Sequence, residues 1–459
     1  MQSNAMLMTE GSIYKKIITF AIPIFFGNLF QQLYNIVDSL IVGNFLGKES
    51  LAAISSTGSL IFLLVGLVGG VFSGAGVVIS RYFGAEDIKN VQKAIHTAIC
   101  FALIAGISLT IIGTILSPQI LKWMGTPESV FPNAVKYVRI YFSGILTIVM
   151  YNAASGIFQA IGDSKRPLYF LIVSSITNVI LDLLFVVVFK MGIGGAALAT
   201  VIAQAVSAIL AFRHLMRTQG VYKVSFKKLA VHFDMLKQIL QMGIPSGVQN
   251  SVIALANIVV QSNINSFDAV AVAGCGSYSK IEGFVFIPIT SFAMSMTVFI
   301  GQNLGAGKFE RAKKGTYFGI GVSTLLAETI GILFFINAPH LIALFNRDPE
   351  VIAYGTLQAR TIALFFFLLA FSHCVAGILR GAGKSIVPML VMLVCWCVIR
   401  VLYVTIATSI VHDIQVIFWA YPLTWSLSSC FFLVYYLKGN WIHTFKKHES
   451  ENEEAQVLN

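Results

Sequence analysis

The sequence predicts an all-α polytopic membrane protein: twelve transmembrane helices in two six-helix lobes related by a pseudo-two-fold axis along the membrane normal. Three observations carry that expectation. Of the 459 residues, 57% are hydrophobic and 11% charged, with a mean hydropathy of +0.81, whereas soluble domains carry about 25% charged residues. Apolar runs recur along the chain at the length of roughly 20 residues that a bilayer-spanning helix needs. The chain also repeats itself: GIFQAIGDSKRP at 156–167 matches GILRGAGKSIVP at 377–388, an offset of 221 (377 − 156). The same offset takes Gly84 to Gly305 and Arg139 to Arg360, and one residue more takes Pro23 to Pro245 and Asn35 to Asn257. Two halves with an even number of spans share one orientation, which predicts a binding cavity between parallel repeats.

Taken in order, the first six spans fall near 14–45, 50–82, 91–117, 132–161, 168–190 and 193–216, and form an N-terminal lobe over 14–216. A polar connection at 217–232 follows as a cytoplasmic linker. The second six fall near 233–266, 270–303, 312–337, 351–380, 385–410 and 414–437, within a C-terminal lobe over 233–438. MQSNA at 1–5 reads as a tag-cleavage scar before a natural Met6, and the polar tail 439–459 as disordered. Basic residues gather in alternate connections, at Lys15/Lys16, Lys89/Lys93, Lys165/Arg166, Arg213 to Lys228, Lys308 to Lys314, Arg380/Lys384 and Lys446/Lys447. By the inside-positive bias both termini are expected in the cytoplasm. The net charge of +11 therefore belongs to membrane topology and gives no reason to expect nucleic acid. Cys100, Cys275, Cys374, Cys395, Cys397 and Cys430 lie in apolar runs without metal-type spacing.

The chemistry is expected where polar groups interrupt the spans. PLYFLIVSSITNVILDLLFVVVFK at 167–190 carries Asn178 and Asp182 four residues apart, on one helix face. A carboxylate at that depth costs on the order of 3 kcal/mol and calls for a partner or a cavity. Asp38 in the first span and Thr200 in the sixth complete a set of oxygen ligands. That set suits Na⁺, and two neighbouring carboxylates that cannot both stay ionised also suit a proton; the residues leave the two ions open. Across the repeat Asp38 faces Val260, Asn178 faces Ile399 and Asp182 faces Tyr403, so this site belongs to the first half alone. Lys280 and Glu282 in the eighth span, with Arg400, read either as a second coupling or substrate site or as local charges lining the cavity. His373 reads as a hydrogen-bonded packing residue. Pro23 and Pro245 each interrupt the long first helix of a half and predict a kink, and the glycines between Gly66 and Gly76 predict close helix contact. No HExxH, GxSxG or phosphate-binding loop is present, which argues against an enzyme and against an ATP-driven pump.

IPIFFGNLFQQLYNIVDSLIVG at 22–43, GQNLGAGK at 301–308, and TNVILD with Thr200 resemble the multidrug and toxic compound extrusion family of bacterial transporters, over essentially all of 14–438. The resemblance implies alternating access and export of cationic amphipathic compounds against inward Na⁺ or H⁺. It implies a multi-pass protein of the bacterial inner membrane that acts as a monomer on small organic cations amid membrane lipid, with no cofactor beyond the coupling ion. It carries Asp38, Asn178, Asp182 and Thr200 onto the family's N-lobe cation site (Na⁺ if sodium-coupled), and Gln31, Tyr34, Asn152 and Ser175 onto residues lining the drug chamber. A lipid-linked saccharide flippase of the same superfamily is the alternative. The acidic residues that some members place in the seventh and tenth spans have no counterpart here, which leaves Glu282 as the C-lobe acid able to substitute.

Overall fold

The computed structural model describes residues 7–411 and 413–442; the expected scar at 1–5, Lys446/Lys447 and most of the tail lie outside them. Eleven helices are long and apolar enough to cross a membrane, and a helix pair bent by 48° makes a twelfth. We number the spans α1 (Ile13–Gly47), α2 (Leu60–Gly84), α3 (Ile88–Trp123), α4 (Phe131–Ser143 with Ile145–Ala160), α5 (Lys165–Val188), α6 (Ile193–Arg217), α7 (Phe233–Ile264), α8 (Ala269–Gly305), α9 (Phe309–Ala343), α10 (Pro349–Gly381), α11 (Ile386–Ile410) and α12 (Ile414–Lys438).

The helix running from Ile13 to Gly84 is interrupted at Gly47, the last residue of α1, at φ 78° and ψ −177°, a left-handed conformation that a side chain would strain; residues 48–59 lead helically into α2. Pro23 and Pro245 both lie inside unbroken helices. In α4 the bend falls at Gly144, where an added Cβ would come 2.2 Å from Val201 of α6.

The chain packs as two compact units. One comprises 22–247; the other comprises 8–21 and 248 onward. The boundaries therefore fall beside Pro23 and Pro245, within the first helix of each half rather than in the connection at 217–232.

In the first unit α3 packs on both parts of α4, and α6 packs on α4 and α5. Phe72, Phe142, Phe158 and Ile95 are buried in its core. The start of α7 docks on α2 through facing glycines: a Cβ on Gly70 would lie 2.3 Å from the Gly247 backbone, and one on Gly74 2.3 Å from Gly243. This is small-residue packing, which lets backbones approach closely where lipid supplies no hydrophobic drive between helices.

In the second unit α8 packs against α9 and α10, and α12 against α10 and α11. The segment before α1 is held to the end of α8 and the start of α9. Met8 N–H donates to Gln302 (2.8 Å), Asn303 and Arg311 donate to the Met8 carbonyl, and Arg311 also donates to the Glu10 (3.0 Å) and Gly11 (2.7 Å) carbonyls. The GQNLGAGK motif thus anchors the beginning of the chain.

Candidate functional site: a carboxylate pair in the first unit

Helix α5 is built inside out relative to a soluble helix. Its buried stripe is Ser174, Asn178 and Asp182, while Val173, Ile176, Ile180 and Leu183 are exposed. Spacing by four puts the polar residues on one face, and a helix that turns apolar residues outward is suited to lipid. Directly after Asp182 the helix widens into a π-helical turn, Leu183–Val188, a distortion common at functional sites.

Four of the expected residues come together on this stripe. Asp182 is 0% exposed, Asn178 1% and Thr200 7%, and Asp38 of α1 is half-buried. The Asp38 and Asp182 carboxyls are close enough to feel each other's charge. The Asn178 amide satisfies its surroundings when its N–H donates to Asp182 Oδ2 (2.8 Å) and its oxygen accepts from the Thr200 N–H (3.3 Å). Thr200 Oγ1 donates to the Ala196 carbonyl (3.1 Å), with Tyr34 beside it. Oδ1 of Asp38 and Oδ1 of Asp182 are each buried without a donor. Beside the pair, Ile41, Val42, Val186 and Ala196 form an apolar cluster, which excludes water from that side and raises the cost of an uncompensated charge.

Gln31, Tyr34 and Ser175 line one small cleft with Asn178 and Gln204. Asn152 stands apart from that cleft. Its amide donates to the Ile148 carbonyl of its own helix (2.8 Å), and its oxygen faces Gly69. Tyr137, which lies close enough to both carboxylates to feel their charge, and Tyr141, stacked on it at 6.4 Å, also belong to the neighbourhood. Sequence reasoning missed them; their signal was an i, i+4 aromatic pair in α4.

The second unit holds a different polar cluster. Arg400, 2% exposed, donates from Nε (3.2 Å) and Nη2 (2.9 Å) to Thr424 Oγ1 and lies over the rings of Tyr421 (4.6 Å) and Trp396 (5.6 Å). Glu282 accepts from the Tyr278 hydroxyl (3.0 Å) and feels the charge of Arg400. Lys280, two residues away on α8, is exposed and sits over Phe345 (5.6 Å), so it is not part of this cluster. His373 packs edge-on against Trp396 and Phe286, as expected of a packing residue, but its Nε2 is buried without a hydrogen bond. Glu328 in α9, an in-span acid that sequence reading passed over, lies near the Phe367 backbone with its Oε2 buried and without a partner. Phe367 stands in the first turn of the helix restarting after the 3₁₀ turn Ala363–Phe365.

Two homologous halves of membrane-spanning helices, one with a buried carboxylate pair, define a membrane transport protein rather than an enzyme. The comparisons give the family. The MatE family profile matches residues 23–184 and 245–406, two stretches offset by 222 (245 − 23), and the chain belongs to that family. It is 28% identical to a probable multidrug resistance protein, YpnP, of Bacillus subtilis, over 94% of this chain and 97% of the relative. It is also 28% identical to YoeA of the same organism, another probable multidrug resistance protein, over 83% of this chain and 84% of that one. A solved MOP superfamily transporter from Pyrococcus furiosus shares the fold at a TM-score of 0.90, with 22% identity over 97% of this chain and 99% of that one.

Proposed function

We propose that this transporter is a secondary active multidrug exporter that works by alternating access, takes cationic amphipathic compounds, and is driven by protons bound at Asp38 and Asp182. The observation that carries the choice of ion is the pairing of two neighbouring carboxyls with a buried, orphaned Oδ1 on each. Two ionised carboxylates are acceptors only and disfavour each other's charge where water is excluded, so one proton supplies the donor that the pair lacks. Were Na⁺ the occupant, Asp38, Asp182, Asn178 and Thr200 would hold it.

The export of drugs is supported by the two Bacillus relatives, both named as probable multidrug resistance proteins. The flippase alternative loses its best cation, since Arg400 is committed to Thr424 and two aromatic rings. The distribution of lysines and arginines supports cytoplasmic termini.

The test uses purified protein in liposomes loaded with ethidium, with pH and Na⁺ gradients imposed separately. A pH gradient is expected to drive ethidium movement and a Na⁺ gradient at fixed pH to drive none, with Asp182→Asn abolishing the response. Transport by Na⁺ alone overturns the choice of ion, and gradient-driven transport surviving in Asp182→Asn overturns the site.

A further inference from the structure

A cavity in the first unit lies away from the carboxylate pair, where α3 begins and the connection before α7 folds across it. It encloses about 640 Å³ and is lined by Lys93, Lys223, Lys228 and His232 together with Gln92 and His96. No carboxylate lines it among the described residues. The nearest acid in sequence, Asp87, is committed to Asn90, accepting from its backbone N–H (3.0 Å) and its side-chain amide (2.6 Å).

The walls are fixed in place. Gln92 Nε2 donates to the Val221 and Lys223 carbonyls. His96 donates from Nδ1 to the Gln92 carbonyl (2.8 Å), which leaves Nε2 to accept the Ser225 N–H (3.3 Å). Thr97 accepts the His232 N–H (3.1 Å). Behind the connection, Tyr222 is buried at 1% exposure, and its hydroxyl accepts from Arg166 (3.0 Å), which is also paired with Asp163. The loop that carries Lys223 and Lys228 is thus part of the packed unit. Glutamine, histidine and threonine hold the frame, and the lysines project from it.

Three ammonium groups around one cavity without a counter-charge repel one another, at a cost that grows as water is excluded. An anion relieves that cost. The exposed apolar side chains that accompany the lysines, Ile88 on the wall and Phe226 and Phe233 in the same connection, would suit the boundary between water and lipid.

We propose that this cavity is a binding site for a phosphate-bearing anion, held by Lys93, Lys223, Lys228 and His232. A lipid headgroup and a soluble phosphate compound present the same chemistry to these residues. The site is independent of the proton reading above, because none of its residues belongs to the carboxylate pair.

The experiment uses the full-length protein purified in detergent and reads the thermal unfolding midpoint and native mass spectra. Dioctanoyl phosphatidylglycerol is titrated against dioctanoyl phosphatidylcholine in one arm, and inorganic pyrophosphate in the other. One of the two anions is expected to raise the midpoint and to remain bound in the gas phase, while phosphatidylcholine does neither. The triple variant Lys93→Gln, Lys223→Gln, Lys228→Gln is expected to weaken that binding by at least about tenfold. Binding in the first arm names a lipid headgroup and in the second a soluble phosphate; either supports the site. A second triple variant, Lys89→Gln, Lys227→Gln, Lys237→Gln, removes the same charge outside the cavity and is expected to bind as wild type. Equal loss in both triple variants, or no anion bound more tightly than phosphatidylcholine, overturns the proposal.

Discussion

Asp182 and Glu282 are both acids within membrane-spanning helices, and their surroundings assign them different work. Asp182 faces a second carboxyl and the Asn178 amide, with one oxygen left over. Glu282 has a tyrosine hydroxyl at 3.0 Å and the charge of Arg400 nearby, so its charge is answered within its own cluster. If coupling resides in the carboxylate pair, Glu282→Gln keeps the Tyr278 hydrogen bond and loses only the charge. Its pH-driven ethidium transport in liposomes should stay within about threefold of wild type, a change too small for loss of an obligatory proton carrier. A collapse to the Asp182→Asn level would move coupling into the second unit. The acids at 38, 182 and 282 were legible in the sequence because charge within an apolar run is costly and therefore conspicuous. The partners were less so: Tyr137 and Tyr141 look like ordinary interfacial aromatics until α4 folds them beside the site.

At the scale of helices, sequence and structure part company most clearly on α11. The repeat offset pairs Asn178 with Ile399 and Asp182 with Tyr403. In the structure, however, the buried stripe of α11 includes Met392, Trp396, Arg400 and Val404. The inward position thus falls at Arg400 rather than Ile399, just after the π-helical stretch Leu393–Ile399. That is the pairing given by the offset of 222 between the two family matches, not by the 221 that relates Pro167 to Pro388. The glycine contact between α2 and α7 was half visible: the run of glycines announced a close approach, but not its partner. Because a Cβ on Gly74 would lie 2.3 Å from the Gly243 backbone, Gly74→Leu should destabilise the purified protein by about 1–3 kcal/mol through overpacking, seen as a lowered thermal midpoint. Gly276→Ala, where a Cβ meets nothing within 4 Å, is the control and should leave the midpoint unchanged or slightly raised.

At the scale of the whole molecule, each half of the repeat begins with a segment that is pinned before its first helix. In the second unit Arg311 gathers the carbonyls of Met8, Glu10 and Gly11; in the first, Gln92, His96 and Thr97 do the equivalent for the connection at 221–232. Charge-assisted hydrogen bonds of the first kind are worth about 1.5–3 kcal/mol each and are not additive. Arg311→Ala is therefore expected to release the residues before α1, read as faster amide hydrogen exchange at Met8 and in the first turn of α1, while exchange in α5 and α6 is unchanged. Uniformly faster exchange would mean that Arg311 supports the unit as a whole.

By itself the sequence determined the class, the number of spans, the two-fold repeat and the positions of the buried acids. Each of these follows from local cost: twenty apolar residues, or one carboxylate among them, carry the same penalty in lipid whatever the neighbours are. Only the tertiary structure decided which polar groups meet, since that depends on helix phase and approach. It set Asp38 against Asp182 with Asn178 beside them, kept Asn152 out of the cleft, turned Arg400 inward, and folded three lysines around a cavity that no periodicity in the chain announces.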